Sequence, residues 1–156
     1  RDSDNISMVV ASKDQNQDVG AKVFHLGNYT SSNIVSKSIS KSGGINTYRG
    51  TVYVSPKAKG VIHSTQCDAL LLDGDSVSNT IPIFKVESSD ATISHEASAG
   101  NIDEKKIFYL MSRGISFAKA KSLLVTGFIS DVVKQLPLEY AGELNHLIDL
   151  EMEGNV

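Results

Sequence analysis

The chain of 156 residues is long enough for one domain with a hydrophobic core of its own. It contains 40% hydrophobic and 21% charged residues, as ordinary globular proteins do, and its formal net charge of -3 argues against a nucleic-acid-binding protein. The sequence also lacks an apolar run of the roughly 20 residues that a membrane-spanning helix requires.

The first part of the chain, from Ile6 to about Glu96, predicts short β-strands. It is rich in Val, Ile, Thr and Ser, and Gly and Asn interrupt it at turn-like positions. No helical period of useful length occurs there. The predicted strands span residues 7–11, 21–26, 33–39, 47–54, 61–64, 69–72, 81–86 and 91–95.

Many short strands at regular spacing fit a sandwich, a barrel or a solenoid. Two features favour the solenoid. The strand ends carry small polar residues, as stacked turns require, and residues 47–54 place bulky groups on both faces of one strand. Periodicity alone leaves the three architectures open.

The pattern becomes helical after residue 97. Asn101 or Asp103 can cap a first helix, with Glu104 in its first turn, where negative charge favours the helix dipole. Gly114 can end this helix in a left-handed conformation.

A longer helix is predicted from Ser116, its N-cap, to about Gln135, and Pro137 stops it. Its apolar residues form two stripes, which leave only a narrow polar edge. The first stripe is Ala120, Leu124, Phe128 and Val132, and the second is Val125, Ile129, Val133 and Leu136. The final helix can cover the second stripe, and a partner protein can dock on the helical hairpin. The two interpretations are compatible, because each helix has two sides.

Five segments together carry a family resemblance. They are Thr65-Gln66-Cys67-Asp68, Ile93-Ser94-His95-Glu96-Ala97, the run Phe108-Tyr109-Leu110-Met111-Ser112-Arg113-Gly114-Ile115, and the C-terminal stretches 136–141 and 150–156. In this order they resemble the C-terminal part of the SufB/SufD family, the scaffold proteins of the SUF iron–sulfur cluster assembly system. The resemblance runs from about Asn46 to Val156, and Glu96, where SufD usually has Gly, favours the SufB branch.

The resemblance implies a mainly β fold with C-terminal helices. Residues 1–97 would form part of a right-handed parallel β-helix, and residues 98–156 a helical subdomain. Because members of this family are several times longer, we expect the chain to be a C-terminal fragment. An open coil at its N-terminal end would then be exposed to edge pairing.

Cys67 is the first candidate for chemistry. A free cysteine is usually a small buried hydrophobe, but this one has polar neighbours in the sequence. Iron and persulfide sulfur both need a soft thiolate, which only cysteine supplies. The single cysteine excludes an internal disulfide and fits a reducing compartment, so we expect a cytoplasmic protein, or a plastid-type one in a eukaryote.

His95 and Glu96 are the second candidates. On a regular strand, adjacent side chains point to opposite faces, so the pair serves one site only through a bulge, a strand end or a subunit interface. Imidazole and carboxylate can both bind iron. The resemblance implies that Cys67, His95 and Glu96 are iron ligands or sulfur-handling groups for a transient iron–sulfur cluster. The cluster would lie at a SufB–SufD or SufB–SufB interface, because these three groups cannot hold it alone.

The resemblance also implies partners. The SufC ATPase would dock on the helices, through Val125, Ile129, Val133 and Leu136. SufD or a second SufB copy would pair with the β-part, and the fragment alone would be a homodimer. Because the sequence has no Walker loop, ATP hydrolysis would belong to SufC.

The resemblance therefore predicts a scaffold for iron–sulfur cluster assembly and not an enzyme. Two alternatives come from other classes. One is a purely structural dimerisation module, and the other is a polysaccharide-acting β-solenoid enzyme, which would need clustered acids on one face. We expect no nucleic acid or membrane partner.

Overall fold

The computed structural model of the protein describes residues 1–153. The last three residues of the C-terminal stretch 150–156, which contributes to the family resemblance, lie outside this range. The chain divides into two compact units after Asn101. The first contains strands β1 Asp2–Ala11, β2 Asn16–His25, β3 Ser31–Ser40, β4 Ile45–Val54, β5 Val61–Leu71, β6 Val77–Val86 and β7 Ala91–Asn101. The second contains helices α1 Glu104–Ser112, α2 Phe117–Val133 and α3 Leu138–Glu153.

The seven strands form a parallel β-solenoid of about three turns, which confirms the predicted fold class. Odd-numbered strands stack in one sheet in the order β1-β3-β5-β7, and even-numbered strands stack in a second sheet in the order β2-β4-β6. All pairings are parallel and in register, as between β5 and β7, where Val61 lies beside Ala91 and Leu71 beside Asn101. Each coil therefore places equivalent positions directly above one another.

The interior of the solenoid is lined by alternate residues of each strand. Its fully buried apolar side chains include Ile34, Val52, Val54 and Val61. The interior also contains buried polar side chains, among them His25, Ser32, His63 and Thr65. Stacking of the coils therefore gives interior polar groups partners from other coils, whereas a sequence pattern shows only an interruption of apolar residues.

The prediction of two strands at 61–64 and 69–72 was wrong, because β5 is continuous across them. Between the two predicted strands lies the polar segment 65–68. In the structure, Thr65 and Cys67 continue the buried alternation that begins at Val61. The proposed boundary after residue 97 falls within β7, which continues to Asn101.

The first helix begins as its sequence predicts. The Asp103 side chain accepts hydrogen bonds from the backbone N–H groups of Lys105 and Lys106, which caps α1. At its end Gly114 has a φ of 85°, and its N–H donates to the carbonyl of Met111 at 2.9 Å. A left-handed residue at this position is a common end for a helix.

The second helix starts after Ser116, whose hydroxyl accepts from the Lys119 N–H at 3.3 Å, and it ends at Val133, close to the predicted Gln135. Helix α2 packs against both α1 and α3. Its buried positions are Ala120, Ser122, Val125, Ile129 and Val132. Among the described helices, none is both long enough and apolar enough to span a bilayer.

Candidate functional site

Cys67 lies on the inner face of β5 and is 4% exposed. It packs in a buried cluster with Ile34 and Tyr48. Burial, and then the negative charge of Asp68, raise the pKa of the thiol to about 11. Without a metal or another electrophile, Cys67 is therefore a neutral thiol at physiological pH.

His95 lies on the last strand, β7, where it is the direct neighbour of Thr65 in β5. Cys67 lies two positions further along the same inner face, opposite Ala97. Strand spacing and rise place the Cα atoms of Cys67 and His95 roughly 8 Å apart. The His95 Nε2 atom is buried and has no hydrogen-bond partner among residues 1–153. The structure thus brings Cys67 and His95 to one face.

Glu96 does not join them. It pairs in register with Gln66, and both side chains are exposed on the outer face of the sheet. The alternation of a regular strand separates Glu96 from His95, as expected from their adjacency. Within residues 1–153, no three or more His, Cys, Asp and Glu side chains are grouped so that they could hold a metal ion. On the inner face, the described part of the chain therefore brings together one thiol and one imidazole.

A polar ladder lies on the outer face beside Cys67. The Asp68 carboxylate accepts from Lys37 Nζ at 3.0 Å, from Gln66 Nε2 at 2.9 Å and from Ser98 Oγ at 2.6 Å. Burial pushes the pKa of Asp68 up, but these hydrogen bonds and the charge of Lys37 outweigh it and lower the pKa. Asp68 therefore stays ionised and keeps a negative charge next to the thiol.

Sequence reasoning gave no role to His25 and His63, yet both belong to a continuous hydrogen-bonded chain inside the solenoid. Its links measure 2.7, 2.8, 2.6 and 2.7 Å. In order, the chain joins Thr30 Oγ1, His25 Nδ1 and Nε2, Ser32 Oγ, His63 Nδ1 and Nε2, and Thr65 Oγ1. The signal in the sequence is the phase of β5, since an inner-face cysteine at 67 also places residues 65 and 63 inside.

The carbonyl of Gly27 fixes the direction of this chain. The Thr30 hydroxyl donates to that carbonyl at 3.3 Å, so its oxygen accepts from Nδ1–H of His25. The same logic, carried through each link, gives His63 the Nδ1–H tautomer and makes the Thr65 hydroxyl a donor to Nε2 of His63. This order holds for two neutral rings, each of which donates through Nδ1 and accepts through Nε2.

Charge agrees with this assignment. Burial lowers the pKa of His25. Burial lowers the pKa of His63 to about 4, and the charges of His25 and His95 act in the same direction. Thr65, the last group of the chain, is the residue directly beside His95. The chain therefore ends at the candidate site.

The predicted docking residues Val125, Ile129, Val133 and Leu136 are not all at the surface. Val125 and Ile129 are 0% exposed, on a helix that packs against both α1 and α3. Val133 is partly buried and Leu136 is 37% exposed. Besides Leu136, the exposed large apolar side chains in the described part of this unit are Phe108, Tyr109, Met111, Phe117, Leu123, Leu138, Tyr140 and Leu147.

Comparison with known proteins supports the family resemblance found in the sequence. Residues 2–128 match the family described as "SUF system FeS cluster assembly, SufBD core domain". Over 151 residues, 97% of this chain, it is 48% identical to the iron-sulfur cluster assembly protein SufB of Bacillus subtilis. It is 50% identical over the same length to a SufBD family protein of Staphylococcus epidermidis, and 48% identical to one of Mycobacterium tuberculosis.

The matched region is 32% of the Bacillus and Staphylococcus proteins and 18% of the mycobacterial one, so the chain spans a third or less of these relatives. None of these matches supports the alternative of a polysaccharide-acting enzyme. The extent of the family match and the level of identity leave one assignment. The chain belongs to the SufB/SufBD family of iron–sulfur cluster assembly proteins.

Proposed function

We propose that this chain is the C-terminal part of a SufB-type scaffold and carries part of the site where an iron–sulfur cluster is built. One observation supports this most directly. Cys67 and His95 share the inner face of the last two strands of their sheet, and the buried Nε2 of His95 lacks a partner within the described chain. Thiolate and imidazole are both established ligands of iron–sulfur clusters.

The solenoid exposes its interior at this end. Phe84 and Val86 of β6 are 39% and 43% exposed, whereas the residues stacked beside them in β4, Val52 and Val54, are almost fully buried. Likewise Ala97 is exposed and Cys67 is not. An apolar cross-section bounded by two terminal strands is a surface for strand pairing. We propose that SufD or a second SufB-type copy covers it and completes the ligand set.

A neutral thiol suits a site that works only when assembled. Iron that reaches Cys67 displaces its proton, and the raised pKa of the thiol makes that binding weak and dependent on the remaining ligands. The cluster is cargo that must leave again. A buried thiol that binds metal weakly on its own is compatible with that release.

We further propose that the SufC ATPase docks on the exposed apolar residues of the helical unit. Phe108 and Leu138 are 74% and 86% exposed. Large apolar side chains that are exposed as a group often mark a protein–protein interaction site. Leu136 and Val133 can extend this surface, but Val125 and Ile129 would serve only as its support. ATP hydrolysis would belong to SufC, and the free thiol is compatible with a cytoplasmic location.

Reconstitution tests the scaffold proposal. The chain, alone and mixed with SufD, is incubated anaerobically with ferrous iron and sulfide, and the charge-transfer absorption of bound cluster is measured. We expect Cys67→Ser to lose most of the absorption and His95→Ala to lose part of it. Glu96→Gln is the matched control, and it should retain the absorption of the chain. A Cys67→Ser variant that retains the full band would contradict the assignment.

A purely structural dimerisation module is the second candidate, because the open end of the solenoid favours pairing whether or not a cluster forms. Light scattering of the chain separates the two. A dimer that binds no iron, with or without SufD, would support this second function over the scaffold.

A further inference from the structure

Tyr48 is a buried side chain with an unexplained polar atom. It lies on the inner face of β4, it is 5% exposed, and its hydroxyl is buried without a hydrogen-bond partner among residues 1–153. A hydroxyl that loses its hydrogen bonds to water on burial and gains no other partner destabilises the fold. The large majority of buried polar groups are therefore hydrogen-bonded. Phenylalanine would fill the same space without this cost. The hydroxyl is therefore a hydrogen-bond donor that no group in the described part of the chain uses.

Gly50 holds the Tyr48 ring in place. It is two residues along the same strand and on the same face. A Cβ atom at position 50 would lie 3.0 Å from Cε1 and 3.4 Å from the hydroxyl oxygen of Tyr48. The missing side chain at Gly50 thus provides the space along which the tyrosine ring lies. Tyr48 and Gly50 of β4 together therefore determine where the hydroxyl lies.

This hydroxyl belongs to the surroundings of Cys67. Tyr48 and Cys67 pack in the same buried cluster with Ile34, but no hydrogen bond joins the hydroxyl to the thiol. Burial, and then the charge of a Cys67 thiolate, raise the pKa of Tyr48 to about 12. Tyr48 therefore keeps its proton and is a donor toward any negative sulfur at Cys67.

We propose that Tyr48 donates its O–H hydrogen bond to a persulfide carried on Cys67, and so stabilises sulfur stored in the solenoid interior. This inference rests on the proposed role of Cys67 in sulfur handling. An added sulfur atom extends the cysteine side chain by about 2 Å, the length of an S–S bond. A persulfide anion is an acceptor, and a hydrogen bond to a charged group is stronger than one to a neutral thiol.

The loading step needs a donor of sulfane sulfur, such as inorganic polysulfide. The Cys67 thiolate attacks the terminal sulfur of the polysulfide dianion and forms one S–S bond with its electron pair. The adjacent S–S bond breaks, and its electron pair leaves on the polysulfide, now one sulfur shorter. The Cys67 sulfur is oxidised by one electron, and the polysulfide sulfur that becomes the new terminus is reduced by one. The proton of the Cys67 thiol leaves with the shortened polysulfide, so the charges on both sides are equal.

The experiment loads the full chain with polysulfide, removes the excess, and follows the mass of the intact protein over time. We expect the Cys67 persulfide to decay about tenfold faster in Tyr48→Phe than in wild type, the effect of one hydrogen bond to a charged group. Tyr53→Phe is the matched control. It removes a hydroxyl from the same strand, but one that is bonded to Glu87 at 2.8 Å, and it should leave the lifetime unchanged.

The outcomes separate the two proposals. If Cys67→Ser takes up sulfur as wild type does, or wild type takes up none, the sulfur-handling role of Cys67 fails. If only Cys67→Ser is defective and Tyr48→Phe decays at the wild-type rate, the role of Tyr48 alone is overturned. A Tyr48→Phe chain that unfolds at lower urea concentration than wild type would also overturn it, because the hydroxyl would then have a structural partner.

Discussion

Acidification should destabilise the solenoid through His63. The pKa of this imidazole is about 4 in the folded chain and 6.5 in an unfolded one. The unfolded state therefore binds more protons, so the stability due to neutral His63 is complete above 6.5 and is lost as the pH falls toward 4. Between pH 7 and pH 5 this linkage amounts to about 2 kcal/mol of unfolding free energy.

The physical reason is the hydrogen-bonded chain. A proton added to Nε2 of His63 turns this nitrogen from an acceptor into a donor, so it can no longer accept the hydrogen bond from the Thr65 hydroxyl. His25 acts in the same direction, since burial lowers its pKa as well. The pKa values of Asp68 and Asp73 are lowered, so these carboxylates stay ionised and keep their contribution to stability between pH 7 and pH 5.

Urea unfolding followed by far-UV circular dichroism at pH 7 and pH 5 measures this effect. In His63→Gln, which keeps a neutral hydrogen-bonding side chain, the difference between the two pH values should shrink to the part due to His25. His146→Gln, a change at an exposed histidine of α3, serves as the control and should keep the wild-type difference. Equal stability of wild type at both pH values, or an undiminished difference in His63→Gln, would refute the reasoning.

Three further predictions concern other parts of the chain. Tyr48→Phe should raise the unfolding free energy by about 1–3 kcal/mol in urea titrations, because it removes an unsatisfied buried hydroxyl. Ile129→Ala should cost about 2–5 kcal/mol by the same measurement, as a cavity forms in the helical unit, whereas Leu138→Ala should leave stability within about 0.5 kcal/mol and weaken only SufC capture. Asp68→Asn should speed alkylation of Cys67 by iodoacetamide, since it removes the negative charge that helps raise the pKa of the thiol; an unchanged rate would assign the pKa to burial alone.

Local signals in the sequence predicted local features well. Asp103 and Ser116 cap their helices as expected, because an N-cap depends only on a side chain and the next three residues. The period of two along a strand correctly placed His95 and Glu96 on opposite faces. The solenoid itself came from the family resemblance, since strand patterns left other architectures open.

The remaining features depend on residues that are distant in the chain. Ser32 and His63 are 31 positions apart and meet only because coils stack in register, so nothing near either residue indicates their bond. The same stacking made β5 continuous through a polar segment. Burial of Ile129 depends on the neighbouring helices, which the pattern of α2 alone could not decide.

The anchoring of the histidine chain on Gly27 has one more consequence. A carbonyl never donates, so the donor–acceptor order cannot be reversed at one link without reversing every link beyond it. The neutral His25 and His63 would therefore exchange tautomers together or not at all. The dipoles of the successive hydrogen bonds point the same way from donor to acceptor, so they add up to a net dipole inside the solenoid.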